Sequence, residues 1–178
     1  MDEYRKMLDQ LFEQNSPTII SNSSTDHAIP LVAKLFQKAR REAMIFTGAA
    51  NPAIYATDEV VEAAGSLVVG QNGNLFIIVQ KSAEAVSDAS LLDEADCLIK
   101  KIKTRFGETA TQNIHLYRAD NSLQDLDYHF MVVDGEAFRF EPDNKKHEAF
   151  ASFNNKEVGA KLKTMFDGMK QSSAELRL

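Results

Sequence analysis

The chain has 178 residues, 44% hydrophobic and 26% charged, with a formal net charge of −6 and a single cysteine. This length suits one buried core and is short for two; the lone Cys97 excludes an internal disulfide, and no Cys/His spacing makes a zinc site, so no metal or cofactor is expected. The acidic balance argues against broad nucleic-acid binding, which rests on Lys and Arg neutralising phosphates; no apolar run reaches the roughly 18–20 residues that span a bilayer, and with no signal-peptide core at the N-terminus a cytoplasmic location is expected.

In chain order, Tyr4, Met7, Leu8, Leu11 and Phe12 recur at helical spacing and predict an amphipathic first helix over residues 1–15. "NSPT" breaks it, and "IISNSS" is a short strand or a loop. "STDHAIPLVAKLFQKARREA" predicts a second helix, with Ser24, Thr25 and Asp26 as cap candidates and Ile29, Val32, Leu35, Phe36 and Ala39 on one face. Pro30 is expected in its first turn, where no donor is lost. "AMIFTG" is a short apolar strand ending at Gly48. "NPAIYATDEVVEAAGSLV" is a loop and a third helix. "NLFIIVQ" is the clearest strand, and its continuous apolar run predicts burial on both faces. "SLLDEADCLIKKIKTRFG" is a fourth helix, with Cys97 read as a buried helix residue. "NIHLYRA" is a strand; "DLDYHFMVVDGEAFRFE" is a hairpin around Asp134-Gly135. "EPDNKKHE" is a charged loop, "AFASFN" a short strand, and "NKEVGAKLKTMFDGMKQS" a last helix. Strands separated by helices indicate an α/β fold, a mixed sheet sandwiched between helices. A single domain is expected over 1–178, with 1–22 as a helical extension, 23–170 as the core and 171–178 as a frayed tail.

Asp127 and His129 stand two apart at the start of a strand and so share a face. Ser152 and Asn154 share a face in the same way, and serve either a ligand or the cap of the last helix. Arg139 and Glu141 alternate with Phe138 and Phe140; they read as an exposed ion pair, or as the frame of a pocket if their face also carries His129. Asn51 follows a strand's C-terminal end, where α/β folds place ligands. His27 marks a helix start, His115 is an ordinary strand position, and His147 lies with Lys145 and Lys146 in the charged loop, solvated or in contact with phosphate. No Walker loop, G-x-G-x-x-G, His-Glu-x-x-His or G-x-S-x-G is present.

With these elements in order, residues 26–170 resemble the phospholipase D-like superfamily, whose members carry a strand with a His-x-Lys pair, an Asp-Gly turn, a second strand, Gly-Ser-x-Asn and a closing helix. Asp134-Gly135 matches the turn, and "ASFN", Ala151 to Asn154, matches Gly-Ser-x-Asn with alanine for glycine. That register puts Asp127 at the histidine position and His129 at the lysine position. A second register makes His129 the nucleophile, but then Met131 replaces lysine and Asp134 falls two residues early. The resemblance implies a phospholipase D-like fold and a nucleophilic histidine that forms a phosphohistidine, steadied by a cation. Here that pair is incomplete, and "EPDNKKHEAF" is an insertion. A non-catalytic binding or regulatory module is therefore expected, with Asp127, His129, Ser152 and Asn154 forming a residual concavity for a phosphate-containing ligand or a protein partner. The alternatives are a phosphodiesterase or nuclease with His129 as catalytic residue, and an acidic inhibitor-type protein suited to a basic target. The family builds its site from two motif copies, so a one-copy chain implies a homodimer.

Overall fold

The computed structural model describes residues 2–80, 98–146 and 148–178. The elements in chain order are α1 (Asp2–Glu13), β1 (Ile20–Asn22), α2 (Thr25–Lys38), β2 (Glu42–Thr47), α3 (Pro52–Tyr55), α4 (Asp58–Gly65, continued by a π turn over Ser66–Gly70), β3 (Asn74–Val79), α5 (98–106), β4 (Ile114–Arg118), β5 (His129–Val133), β6 (Ala137–Asp143), β7 (Glu148–Ser152), α6 (Lys156–Ser172) and β8 (Ala174–Leu176). The strands form one mixed sheet in the order β1-β7-β6-β5-β2-β3-β4-β8. β2, β3 and β4 run parallel; β5 returns antiparallel beside β2.

The apolar alternation within β2 shows how the sequence builds the layers. Ala43 and Ile45 enter one core with α1, α2, α4 and α5, where Leu31, Leu35, Phe36, Val60 and Leu98 are buried. Met44 and Phe46 point to the other face and meet Phe130, Phe138, Leu162 and Phe166, so that α6 covers this second side. Helices on both faces explain why β2 and β3 read as continuous apolar runs. The expected α/β fold, a mixed sheet between helices, is the fold observed.

Asp134 and Gly135, at φ 52° and 69°, are the two central residues of the β5–β6 turn, which Glu136 N–H closes onto Val133 C=O at 2.9 Å. Paired positive φ values are those of a type I′ hairpin, the turn that Asp-Gly favours. The Asp134 carboxylate also reaches beyond the turn. It accepts from the backbone N–H of Arg40 (2.8 Å), Arg41 (3.0 Å) and Glu42 (2.9 Å), tying the hairpin to the entry of β2.

Three expectations need correction. Residues 174–176 are not frayed: they form β8, paired antiparallel with β4, because Leu176 packs against the helical core. Residues 1–22 are more than a helical extension, since β1 is hydrogen-bonded to β7 as a sheet edge and Leu8 is buried, although Met7 faces solvent. Pro30 lies inside α2, beyond its first turn, because the helix already starts at Thr25; it therefore forgoes one ladder bond there. The expectations for Cys97, His147 and most of the fourth helix fall outside the described residues.

Candidate functional site

The carboxyl end of β2, the short helix α3 and the open end of the β5–β6 hairpin converge on a cavity of about 470 Å³. β2 supplies Phe46 and Thr47, then turns sharply: Ala50 N–H donates to Thr47 Oγ1 (3.3 Å) with Ala50 at φ 42°. Asn51 caps α3 by accepting from Ala53 N–H at 3.0 Å, with Pro52 at the first helical position, where its missing donor costs nothing. Ile54 and Tyr55, packed with the α2-side core, close that wall. Gly48 makes room for the imidazole: a Cβ there would stand 3.3 Å from His129 Nε2.

The polar floor is a relay across four strands. Gln80, just past β3, donates its Nε2 to the carbonyls of Leu123 and Leu126, both at 2.8 Å. The amide orientation is thereby fixed, and Oε1 faces His129 Nε2 at 3.0 Å. An amide oxygen only accepts, so Nε2 carries a proton. Nδ1 lies 3.5 Å from Glu141 Oε2. Glu141 Oε2 is 3.7 Å from Arg139 Nη1, and Arg139 Nε donates to Asn22 Oδ1 at 3.3 Å. Arg139 and Glu141 are only 7% and 8% exposed, so the exposed ion pair expected on β6 is corrected. β6 is an inner strand of the sheet, and this face of it looks into the cavity and not into solvent.

Burial also shapes the nearby phenols. Desolvation pushes Tyr4 up to about 12, opposed in part by the Arg139 charge, and raises Tyr55 for the same reason.

Asn51 and His129 share this cavity. Asp127 joins His129 in a shallower depression with Gly48, Gln80 and Lys145, but it is exposed and pairs with Lys145 Nζ at 3.4 Å. Ser152 and Asn154 are elsewhere. Ser152 pairs with Phe138, near the turn, whereas His129 pairs with Glu141 at the opposite end of the hairpin. The expected four-residue concavity is therefore corrected: β6 runs on to Asp143 and the chain returns through β7, which carries Ser-x-Asn to the far end of the sheet. There Ser152 Oγ accepts from Asn154 N–H (3.3 Å) and Asn154 Nδ2 donates to Asn15 C=O (3.2 Å), a structural lock on the start of α6. His27 stacks on Tyr4 at 4.0 Å; His115 stacks on Phe76 and meets Glu175.

Gln80 and Asn22 are site residues that the sequence pattern did not single out. Gln80 had a usable signal, a polar residue directly ending a buried parallel strand. Among the described residues no three His, Cys, Asp or Glu side chains converge as a metal-ligand group, and no helix is long and apolar enough to cross a membrane.

The chain belongs to the family described as Domain of unknown function (DUF7931), which matches residues 24–177. No curated protein matches it in sequence. In structure it is similar to Nuc, a phospholipase D family member from Salmonella typhimurium, at a TM-score of 0.62 and 12% identity over 92% of this chain and 100% of that one. NucT from Helicobacter pylori gives 0.57 and 10% over 89% and 100%. TrmBL2, an archaeal chromatin protein with a novel mode of DNA binding, gives 0.57 and 15% over 98% and 63%. The fold is thus phospholipase D-like.

Proposed function

We propose that this domain binds a small ligand in the cavity above His129 and does not carry out the histidine chemistry of its fold relatives. The observation that carries the reading is the state of the imidazole. A nucleophilic histidine needs a free nitrogen lone pair aimed at phosphorus; here Nε2 is committed to a Gln80 amide held from behind by two carbonyls. Position 127, which the family register assigns to the nucleophile, holds an exposed carboxylate that would repel a phosphodiester. The cavity volume lies in the range of small-molecule sites, roughly 300–1,000 Å³, and an apolar wall of Ile54 and Tyr55 over a few fixed polar groups fits that use. A phosphate-bearing ligand is the class that a former phosphoryl-transfer scaffold would most simply keep.

The test is a fragment screen read by nuclear magnetic resonance, paired with an activity assay. Hits should move the resonances of Thr47, Asn51, Phe130 and the His129 ring, and bis-p-nitrophenyl phosphate should not be turned over. Hydrolysis that disappears in His129→Ala would overturn the reading in favour of a phosphodiesterase.

A further inference from the structure

Beside the main cavity lies a smaller one of about 100 Å³, whose polar wall is Asn22, Ser24, Thr25, Asn51, Arg139 and Glu141. The two share Asn51, Ile54, Arg139 and Glu141. Asn22 is 3% exposed. Because its Oδ1 accepts from Arg139 Nε, its orientation is fixed, and Nδ2 is left without a hydrogen-bond partner among the described residues. Buried amide donors are almost always paired, so an unpaired one on a cavity wall marks a place for an acceptor.

The surrounding groups specify which acceptor. The 14-residue helix α2 begins at this wall, with Ser24 as its cap taking the N–H of His27. The N–H groups of the first turn have no intrahelical acceptor, and the helix dipole favours negative charge there. Arg139 adds a buried guanidinium. Against these donors stand two carboxylates: Glu141, already shared between Arg139 and His129, and Asp26 in the first turn of α2, which is exposed to solvent. The volume is that of roughly three waters, room for one carboxylate or phosphate group and not for the body of a ligand.

Building on the binding reading above, we infer that the two cavities form one bipartite site for a small aromatic anion. Its carboxylate or phosphate sits against Asn22 Nδ2, Arg139 and the first turn of α2, and its ring lies against Ile54 and Tyr55. The anionic end is thus held on β1, α2 and β6, and not at Asp127 or His129. Glu141 keeps its contact with His129 while Arg139 is shared with the ligand.

The experiment titrates the full chain with phenylacetate, phenyl phosphate and benzyl alcohol, the last as a neutral control, by calorimetry and by observing the Asn22 side-chain amide. At least one anion should bind about tenfold or more tightly than benzyl alcohol, the scale of a charge-assisted hydrogen bond, and should shift the Asn22 amide; the tighter anion identifies the head group. Asn22→Leu should weaken that anion severalfold and narrow its margin over benzyl alcohol. The amide shift in the unaltered protein stands as a test even if this variant fails to fold. Anions no tighter than benzyl alcohol, or an unmoved Asn22 amide, would overturn the anion seat and leave the cavity reading intact. If no compound perturbs either cavity, both readings fall.

Discussion

Two glycines in α6 should respond in opposite directions to the same substitution, because one helix face is sealed and the other open. A Cβ on Gly168 would meet nothing within 4 Å, so Gly168→Ala adds only helix propensity. The gain is about 1 kcal/mol, or roughly 2–4 °C in midpoint for a chain of this size. A Cβ on Gly159 would stand 2.5 Å from Gly135 O, 2.7 Å from Gly135 C and 2.8 Å from Glu136 N, all backbone atoms of the hairpin turn. No rotamer relieves that. The start of α6 would have to move away from the turn, against the Asn155 N–H bond to Glu136 C=O at 2.8 Å and the contacts of Leu162 and Phe166. Overpacking of this kind costs about 1–3 kcal/mol or more, and backbone contacts belong at the upper end. Set against the same propensity gain, Gly159→Ala should be net destabilising by about 2 kcal/mol. Urea unfolding reads both variants as shifts in midpoint at constant slope. A Gly159→Ala variant as stable as the parent would show that α6 does not bear on the turn as described.

Other consequences follow from the same contacts. Asp134→Ala removes an acceptor serving three N–H groups and places alanine at a positive φ; it should cost about 2–4 kcal/mol by urea unfolding, and Asp134→Asn, which tolerates that φ, should cost less. Tyr4, raised to about 12 by burial, keeps its proton in the folded state after the unfolded phenol loses its own near 10. Its contribution is therefore full below pH 10 and is lost as pH climbs toward 12, and Tyr4→Phe should flatten that part of the stability profile. Gln80→Leu removes the acceptor on His129 Nε2 and leaves Glu141 beside Nδ1, so nitrogen spectra of the labelled ring should show the Nε2-protonated pattern in the parent and a shift toward Nδ1 protonation in the variant.

Much of the scaffold was legible because its signals are local. The alternation in "AMIFT", the unbroken "NLFIIV" and the Asp-Gly turn each answer to short-range rules that tertiary context did not override. The site was less legible because its members belong to distant segments. Arg139 and Glu141 obey the same period-2 pattern that solvent-facing strand residues show; only the flanking of β6 by β5 and β7, with α2 above, turns that face inward. A strand read as part of a sandwiched sheet has no solvent face over its middle, so its charged positions must be paired or line a pocket, and that inference was within reach. Ser152 and Asn154 misled for the converse reason: motif order was kept while an inserted return strand changed where the motif lands. The pairing of "AEL" with β4 depends on a long-range edge that a three-residue strand does not announce.

The buried Arg139–Glu141 pair offers a way to separate folding from function. Desolvating two charges commonly offsets their attraction, so such a pair is weak evidence for stability, whereas removing one partner leaves the other uncompensated. Glu141→Leu alone should therefore destabilise by about 3–5 kcal/mol, as should Arg139→Met alone. The double variant should recover part of that loss, because apolar side chains of similar volume suit a wall already made by Ile54 and Tyr55, while Asn22 Oδ1 loses its donor. If the pair exists to hold a ligand, the double variant will fold and bind neither phenylacetate nor phenyl phosphate above the level of benzyl alcohol. A double variant as unstable as the sum of its singles would instead make the pair a requirement of the fold, and the argument that charge is kept here for binding would lose its support.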